Sequence, residues 1–282
     1  MHYQIDSRCC KEGWCSIKTM SKSKKDIKLL VATHKPYWMP DDELYLPIHV
    51  GAEGKKDGNG NPLDLGFVKD NTGDNISRKN KNYCELTGVY WAWKNLEADY
   101  IGLVHYRRHF TLNNHGAKEE RPITSTELAS LLAETDVILP KKRNYYIETN
   151  YSQYVHAHHS IDLETTRQII SEKYPEYLYA YDMSMKRTSG HRFNMFIMKR
   201  DKFDAYCEWL FNILFELEQR LDISGYSDND ARVFGFVSER LLDPWIETNR
   251  IDFKEIPYVF MEKQNWFVKG GNFLKRKVSQ TV

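Results

Sequence analysis

An apolar stretch, Tyr100–Val104, runs directly into His105-Tyr106-Arg107-Arg108. A short apolar run bounded by polar residues reads as a buried strand. Two arginines would then stand at the carboxyl end of a strand, where open α/β sheets bind ligands. Arginine is costly to bury without an anion, and its planar fork matches phosphate oxygens in a bidentate way. The chemistry offered is the holding of a phosphate. The same residues would also serve as a surface turn, with the guanidinium groups in water or paired to a nearby Asp or Glu.

Transfer of a group to a hydroxyl needs a base for that hydroxyl and countercharge for a departing phosphate. Asp228, Asp230 and Glu239 are the candidate bases, one at most acting. Asp228 and Asp230 flank an expected helix N-terminus, where capping explains them as well. Glu239 lies inside that helix, where Arg232 or Arg240 would pair with it. His156, His158 and His159 raise the question of a metal, but no HExxH pattern accompanies them. Contact with a sugar hydroxyl or a phosphate is the other functional reading, beside plain loop histidines. No GxxxxGK[ST], GxGxxG or GxSxG sequence occurs. That removes the usual support for a P-loop nucleotidase, a dinucleotide dehydrogenase or a serine hydrolase.

These groups have to be positioned by elements that the apolar pattern outlines. Ile27–Thr33 reads as a first buried strand, ending at Thr33-His34-Lys35-Pro36. Pro47–Val50 and Asp136–Leu139 read as further strands, Arg192–Met198 as a strand carrying Asn194, and Glu255–Phe260 as the last. Helical spacing covers Cys84–Leu96, Asp201–Leu221 and residues 229–242, the last stopped before Pro244. Further helices are expected near 162–172 and 175–185, and Thr124-Ser125-Thr126-Glu127 is a capping signal. Residues 51–66, rich in Gly, Asn and Asp, form a loop, either a surface excursion or a flap over a site. Strands and helices alternate in the first half and helices dominate the second. The expected class is α/β, a mixed sheet flanked by helices with a helical C-terminal part.

A chain of 282 residues that is 41% apolar can bury one large α/β core or two small ones. Without a repeat or a linker, one domain over 20–282 is expected, with its core at 27–262. A net charge of +1 gives no case for nucleic acid. Five cysteines without a CxxC pair fit free thiols in a reducing compartment. No run approaches the ~20 apolar residues of a spanning helix, so a cytoplasmic location is expected. Residues 1–19, polar and aperiodic, read as a disordered extension. The basic stretches Lys22–Lys28 and Lys269–Lys277 would give weak contact with anionic lipid at the inner membrane face.

THKPYWMP (33–40), DNIS (74–77), NYCELTGVYWAWKN (82–95), DYIGLVHYRRHF (99–110), NMFIMKRDKFDAYCEWLFNIL (194–214) and GFVSERLL (235–242) occur in that order. Over about residues 27–262 the chain resembles a bacterial family of capsular and exopolysaccharide synthesis proteins, long catalogued as a domain of unknown function. Its members are regarded as glycosyltransferases, some of them galactofuranosyltransferases. The resemblance implies a GT-A-like fold, a Rossmann-type sheet with the nucleotide under the first strands. It implies a UDP-sugar donor held by Thr33, His34, Lys35, Asn75, Asn80, Glu85, His105, Tyr106, Arg107 and Arg108. His158 and Asn194 would face the acceptor, a lipid-linked oligosaccharide or polysaccharide.

Many enzymes of that fold hold Mn²⁺ or Mg²⁺ on an Asp-x-Asp motif at the end of a central strand. The equivalent-looking position here reads His105-Tyr106-Arg107, so Arg107 and Arg108 are expected to replace the metal, with no cofactor. Two other readings stay open: a nucleotide-dependent phospho- or nucleotidyltransferase using the same arginines, and a non-catalytic carbohydrate-binding or scaffold protein of a polysaccharide machine.

Overall fold

The computed structural model describes residues 25–262. The expected extension 1–19, the first residues of the basic leader and the basic tail Lys269–Lys277 lie outside the described residues. The strands in chain order are β1 (Ile27–Thr33), β2 (Tyr45–His49), β3 (Val68–Lys69), β4 (Tyr100–His105), β5 (Arg108–Phe110), β6 (Val137–Pro140), β7 (Arg143–Asn144), β8 (Ser189–Gly190), β9 (Phe196–Lys199), β10 (Lys254–Ile256) and β11 (Tyr258–Phe260). The helices are α1 (Asn80–Tyr83), α2 (Leu86–Asn95), α3 (Ser125–Leu131), α4 (Asn150–Val155), α5 (Ser160–Lys173), α6 (Pro175–Lys186), α7 (Arg200–Arg220), α8 (Val233–Ser238) and α9 (Leu242–Thr248).

The main sheet runs β10-β6-β9-β4-β1-β2-β3. β1 pairs in parallel with β2 and β4, β3 adds in parallel to β2, and β9 is antiparallel to both β4 and β6. Central strands covered on both faces read as continuous apolar runs, which is why β1 and β4 show no alternation. Leu30, Ala32, Ile101 and Leu103 pack against the helical side with Leu86 and Val89 of α2 and Leu210 and Leu214 of α7. Leu29, Val31 and Val104 face the other layer, with Leu44, Ile123 and Leu128. At Gly102 in β4 a Cβ would fall 2.4 Å from Leu29 Cδ2 and 2.8 Å from the Phe196 carbonyl, so no larger residue fits between these strands. Among the described residues no helix is long and apolar enough to cross a membrane.

The mixed α/β sheet, the helical second half and the Thr124–Glu127 capping box are as expected. Four expectations are corrected, each where a local feature overrides periodicity. The helix expected over Cys84–Leu96 begins only at Leu86, because Cys84 takes a positive φ of 53° between α1 and α2. The strand expected over Arg192–Met198 begins at Phe196. Phe193 and Asn194 before it have φ of 73° and 54°, which no strand accommodates. The helix expected over 229–242 is a 3-10 turn, Asp230–Arg232, followed by α8, and Pro244 does not stop it. Pro244 instead sits in the first turn of α9, where no N–H is needed. The last strand is two: Pro257 divides β10, paired to β6, from β11, paired to β5.

Candidate functional site

The register aligns Thr33 with His49 and Ala32 with His105, so the carboxyl ends of β2, β1 and β4 form one row. Thr33 shapes the tip of β1, its hydroxyl donating to the Lys35 carbonyl at 2.7 Å and accepting from the Lys35 N–H at 3.3 Å. Tyr106, buried just past β4, is the centre of the row. Its ring lies edge-on to His34 at 5.6 Å and to Tyr37 at 4.8 Å, with Lys35 Nζ at 5.3 Å and the Arg107 guanidinium at 5.2 Å. Partial desolvation and then the charges of Lys35, Arg107, Arg232 and Lys55 hold His34 below the ordinary imidazole range. Lys35 and Arg107 thus gather on the Tyr106 ring beside His34, and the charges of Arg232 and Lys55 reach the same imidazole.

Two of those cations, Lys55 and Arg232, have no signal in the sequence. Lys55 sits in the 51–66 loop, whose start is tied down by buried Asp70. That carboxylate accepts from the Gly51 N–H at 2.7 Å, the Ala52 N–H at 3.0 Å and the hydroxyls of Ser77 and Thr87. Arg232 ends the 3-10 turn before α8, lies over the Phe236 ring at 5.1 Å and donates to Cys84 Sγ at 3.2 Å. Burial and then the nearby Glu85 carboxylate push the Cys84 thiol up to about 11, so it stays protonated.

The adjacent arginines diverge. Arg107 stays with Tyr106 and His34 and reaches Glu262 at 3.5 Å. Arg108, in β5, lies over Phe193 at 4.3 Å and Phe260 at 5.1 Å. Burial and then Arg107 hold its guanidinium below its usual range, while Glu239, Tyr258 and Glu85 oppose that shift. Arg107 lies in the turn between β4 and β5 and Arg108 in β5, so one side chain stays by Tyr106 and the other lies over Phe193 and Phe260.

Glu85 and Asn194 meet: the Asn194 amide donates to Glu85 at 2.7 Å and to the Gly235 carbonyl at 3.2 Å, and Ser238 donates to Asn194 Oδ1 at 2.9 Å. His105 Nε2 donates to the Phe193 carbonyl at 2.5 Å, clamping the left-handed pair Phe193-Asn194 from below. Strained backbone of this kind collects at functional sites. Asn80 is engaged in structure, donating to the Cys84 carbonyl at 2.7 Å and to Thr87 at 3.1 Å. Asn75 closes a turn, donating to the Gly73 carbonyl at 2.9 Å and accepting from the Ser77 N–H.

Of the three carboxylates, Asp228 is 94% exposed and paired to Lys81 at 3.0 Å. Glu239 is paired to Arg240 at 3.0 Å and faces Arg108. Asp230 is joined to His158, Nδ1 to Oδ1 at 3.0 Å, with His159 at 3.8 Å. Hydrogen bonds from Ser227 and then His158 hold its carboxyl below the usual range. His158 stacks on Phe236 at 4.3 Å, the ring whose surroundings also include Arg232. The His158–Asp230 pair therefore borders the cation cluster through Phe236. His156 points elsewhere, to Glu148.

The end of β4 does not fit a divalent cation. Mn²⁺ and Mg²⁺ take oxygen ligands. Here the strand end presents one imidazole bound to a carbonyl and two guanidinium groups, and the carboxylates around it, Glu262, Glu85 and Glu239, are engaged by Arg107, Asn194 and Arg240.

The chain is similar to a solved structure titled as the apo form of the bifunctional glycosyltransferase WbbM, with a TM-score of 0.76 and 31% identity. The match covers 85% of this chain but only 46% of that one, so this chain spans about half the length of WbbM. No curated protein matches it. A family described as a domain of unknown function, DUF4422, matches residues 28–250, which include the tips of β1 and β4, the cation cluster and the His158–Asp230 pair, and the chain belongs to that family.

Proposed function

We propose that this chain is a glycosyltransferase that moves a hexose, galactofuranose being one candidate, from a UDP-sugar to a hydroxyl of a lipid-linked oligosaccharide or growing cell-surface polysaccharide, with inversion. The observation that carries the reading is Lys35 and Arg107 on the Tyr106 ring beside His34 at the carboxyl edge of the sheet, with the charges of Arg232 and Lys55 reaching the same imidazole, in a chain similar to a bifunctional glycosyltransferase. In this reading Lys35, Lys55, Arg107 and Arg232 take the charge that develops on the departing diphosphate, and the reaction needs no metal. The Tyr106 ring forms the floor beneath them.

The base is His158. The ionised Asp230 accepts a hydrogen bond from Nδ1–H, which leaves Nε2 as the acceptor for the proton of the attacking hydroxyl. As that proton moves to Nε2, the hydroxyl oxygen bonds to the anomeric carbon while the bond to UDP breaks on the opposite face. Glu239 and Arg108 lie beyond, with Glu85 and Asn194, on the side where sugar hydroxyls need partners.

A panel of nucleotide-sugars with glycan acceptors, read by mass spectrometry, tests the proposal. UDP release together with a glycosylated product is expected, and UDP alone should raise the melting temperature. Release of a nucleoside monophosphate would indicate the phosphotransferase reading, and release of a sugar 1-phosphate with a nucleotidylated acceptor the nucleotidyltransferase reading. The absence of both binding and product with every nucleotide would leave a scaffold.

A further inference from the structure

The three most exposed large apolar side chains among the described residues are Tyr146 at 82%, Ile147 at 81% and Tyr179 at 76%. Two of them, Tyr146 and Ile147, stand side by side just beyond β7. β7 pairs with β8, Arg143 opposite Gly190 and Asn144 opposite Ser189. Beyond β7 the chain folds onto the end of α6, the Tyr145 N–H donating to the Thr188 carbonyl and the Asn150 N–H to the Arg187 carbonyl, both at 2.7 Å. The tip is held in shape: Tyr146 has a φ of 61°, and its N–H donates to Asn144 Oδ1 at 2.7 Å. A bulky residue with positive φ carries strain, and here the strain holds an aromatic and a β-branched side chain out in water.

Exposed cations ring this tip: Lys141, Lys142, Arg143, Lys186 and Arg187. Lys142 reaches Glu255 only at 4.0 Å, and Arg187 is held by Glu247. Lys141, Arg143 and Lys186 have no carboxylate partner among the described residues. A tyrosine and an isoleucine projecting from a basic rim match the interface of an anionic bilayer, with apolar groups at the acyl boundary and cations among the phosphates.

We infer that the β7–β8 hairpin with the end of α6 is a docking surface for an anionic phospholipid membrane. β6 runs parallel to β4, because both are antiparallel to β9. The hairpin thus leaves the same edge of the sheet as His105, two strand spacings or about 10 Å away. Docking there turns the candidate site toward the bilayer, where a lipid-linked acceptor presents its sugar. The surface does not depend on the transfer reaction proposed above, and vesicle binding without any donor measures it separately.

The test is co-sedimentation of the full chain with phosphatidylcholine vesicles, with and without phosphatidylglycerol. Binding is expected only to the anionic vesicles and should weaken with salt. The double variant Tyr146→Ser/Ile147→Ser and the double variant Lys141→Glu/Arg143→Glu should each weaken it by about tenfold or more. These side chains are exposed, and unchanged melting temperatures confirm that the variants fold. No binding by the parent chain, or equal binding by parent and variants, overturns the inference. So does a parent dimer in sedimentation velocity that the Tyr146/Ile147 variant dissolves, which would make the surface a contact between copies.

Discussion

The Nδ1 atom of His158 lies 3.0 Å from Oδ1 of Asp230, across 72 positions of sequence. Ser227 donates to the other carboxylate oxygen at 2.7 Å, and Phe236 stacks under the imidazole. A histidine held in one tautomer by a carboxylate is a base with a defined direction. His158→Ala should lower kcat by about 10²–10⁴-fold with the melting temperature little changed. Asp230→Asn should act in the same direction, and the double variant should be no slower than His158→Ala, since the pair acts as one unit. Additive losses in steady-state kinetics would separate the two residues.

Lys35→Ala and Arg232→Ala should each weaken UDP binding by about 10- to 100-fold, the range for losing one hydrogen bond to a charged group. Titration calorimetry at two salt concentrations should give a smaller salt dependence for each variant than for the parent chain. Activity should persist in EDTA. Its full loss, with rescue by Mn²⁺, would show that a metal supplies the countercharge instead.

Asn194 combines a left-handed backbone with three side-chain bonds. Asn194→Ala should cost roughly 2–4 kcal/mol by leaving Glu85 and the Gly235 carbonyl short of a donor and by disfavouring the positive φ. Asn194→Gly removes the backbone penalty alone and should recover about 1 kcal/mol of that loss. Urea denaturation of both variants measures the difference, and equal losses would remove the role given to the backbone.

His109 is buried between Trp38 and Tyr45, and desolvation, partly offset by the Tyr106 carbonyl, holds its imidazole down to about 4. The unfolded imidazole takes its proton near 6.5. Below that pH the unfolded state binds more protons, so stability is fully present above about 6.5 and falls as the pH drops toward 4. The loss from this residue should total roughly 2–4 kcal/mol. His109→Gln should flatten that part of the stability-against-pH curve, as followed by denaturation at a series of pH values. An unchanged slope would assign the acid loss to other groups.

Much of the scaffold is legible locally. The stripe of α7, with Phe203, Leu210, Leu214 and Leu217 all buried, follows from its 3.6-residue spacing. The run from Tyr100 to His105 is a central strand because nothing in it is polar before the tip. The breaks were not legible. Cys84 and Phe193 carry no mark of a positive φ, since neither is glycine or asparagine, and both are held by contacts from far along the chain, Arg232 on Cys84 and His105 on the Phe193 carbonyl.

By itself the sequence determined the α/β class, the strand that ends at His105, and the presence of two arginines just past its tip, because period and composition are short-range properties. Only the tertiary structure decided that Arg107 and Arg108 part company, that the charges of Lys55 and Arg232 reach His34 beside Lys35, and that Asp230 belongs to His158. Those choices rest on parallel strand pairing and on loops returning across the sheet edge. Such contacts span tens to more than a hundred residues, and no local pattern encodes them.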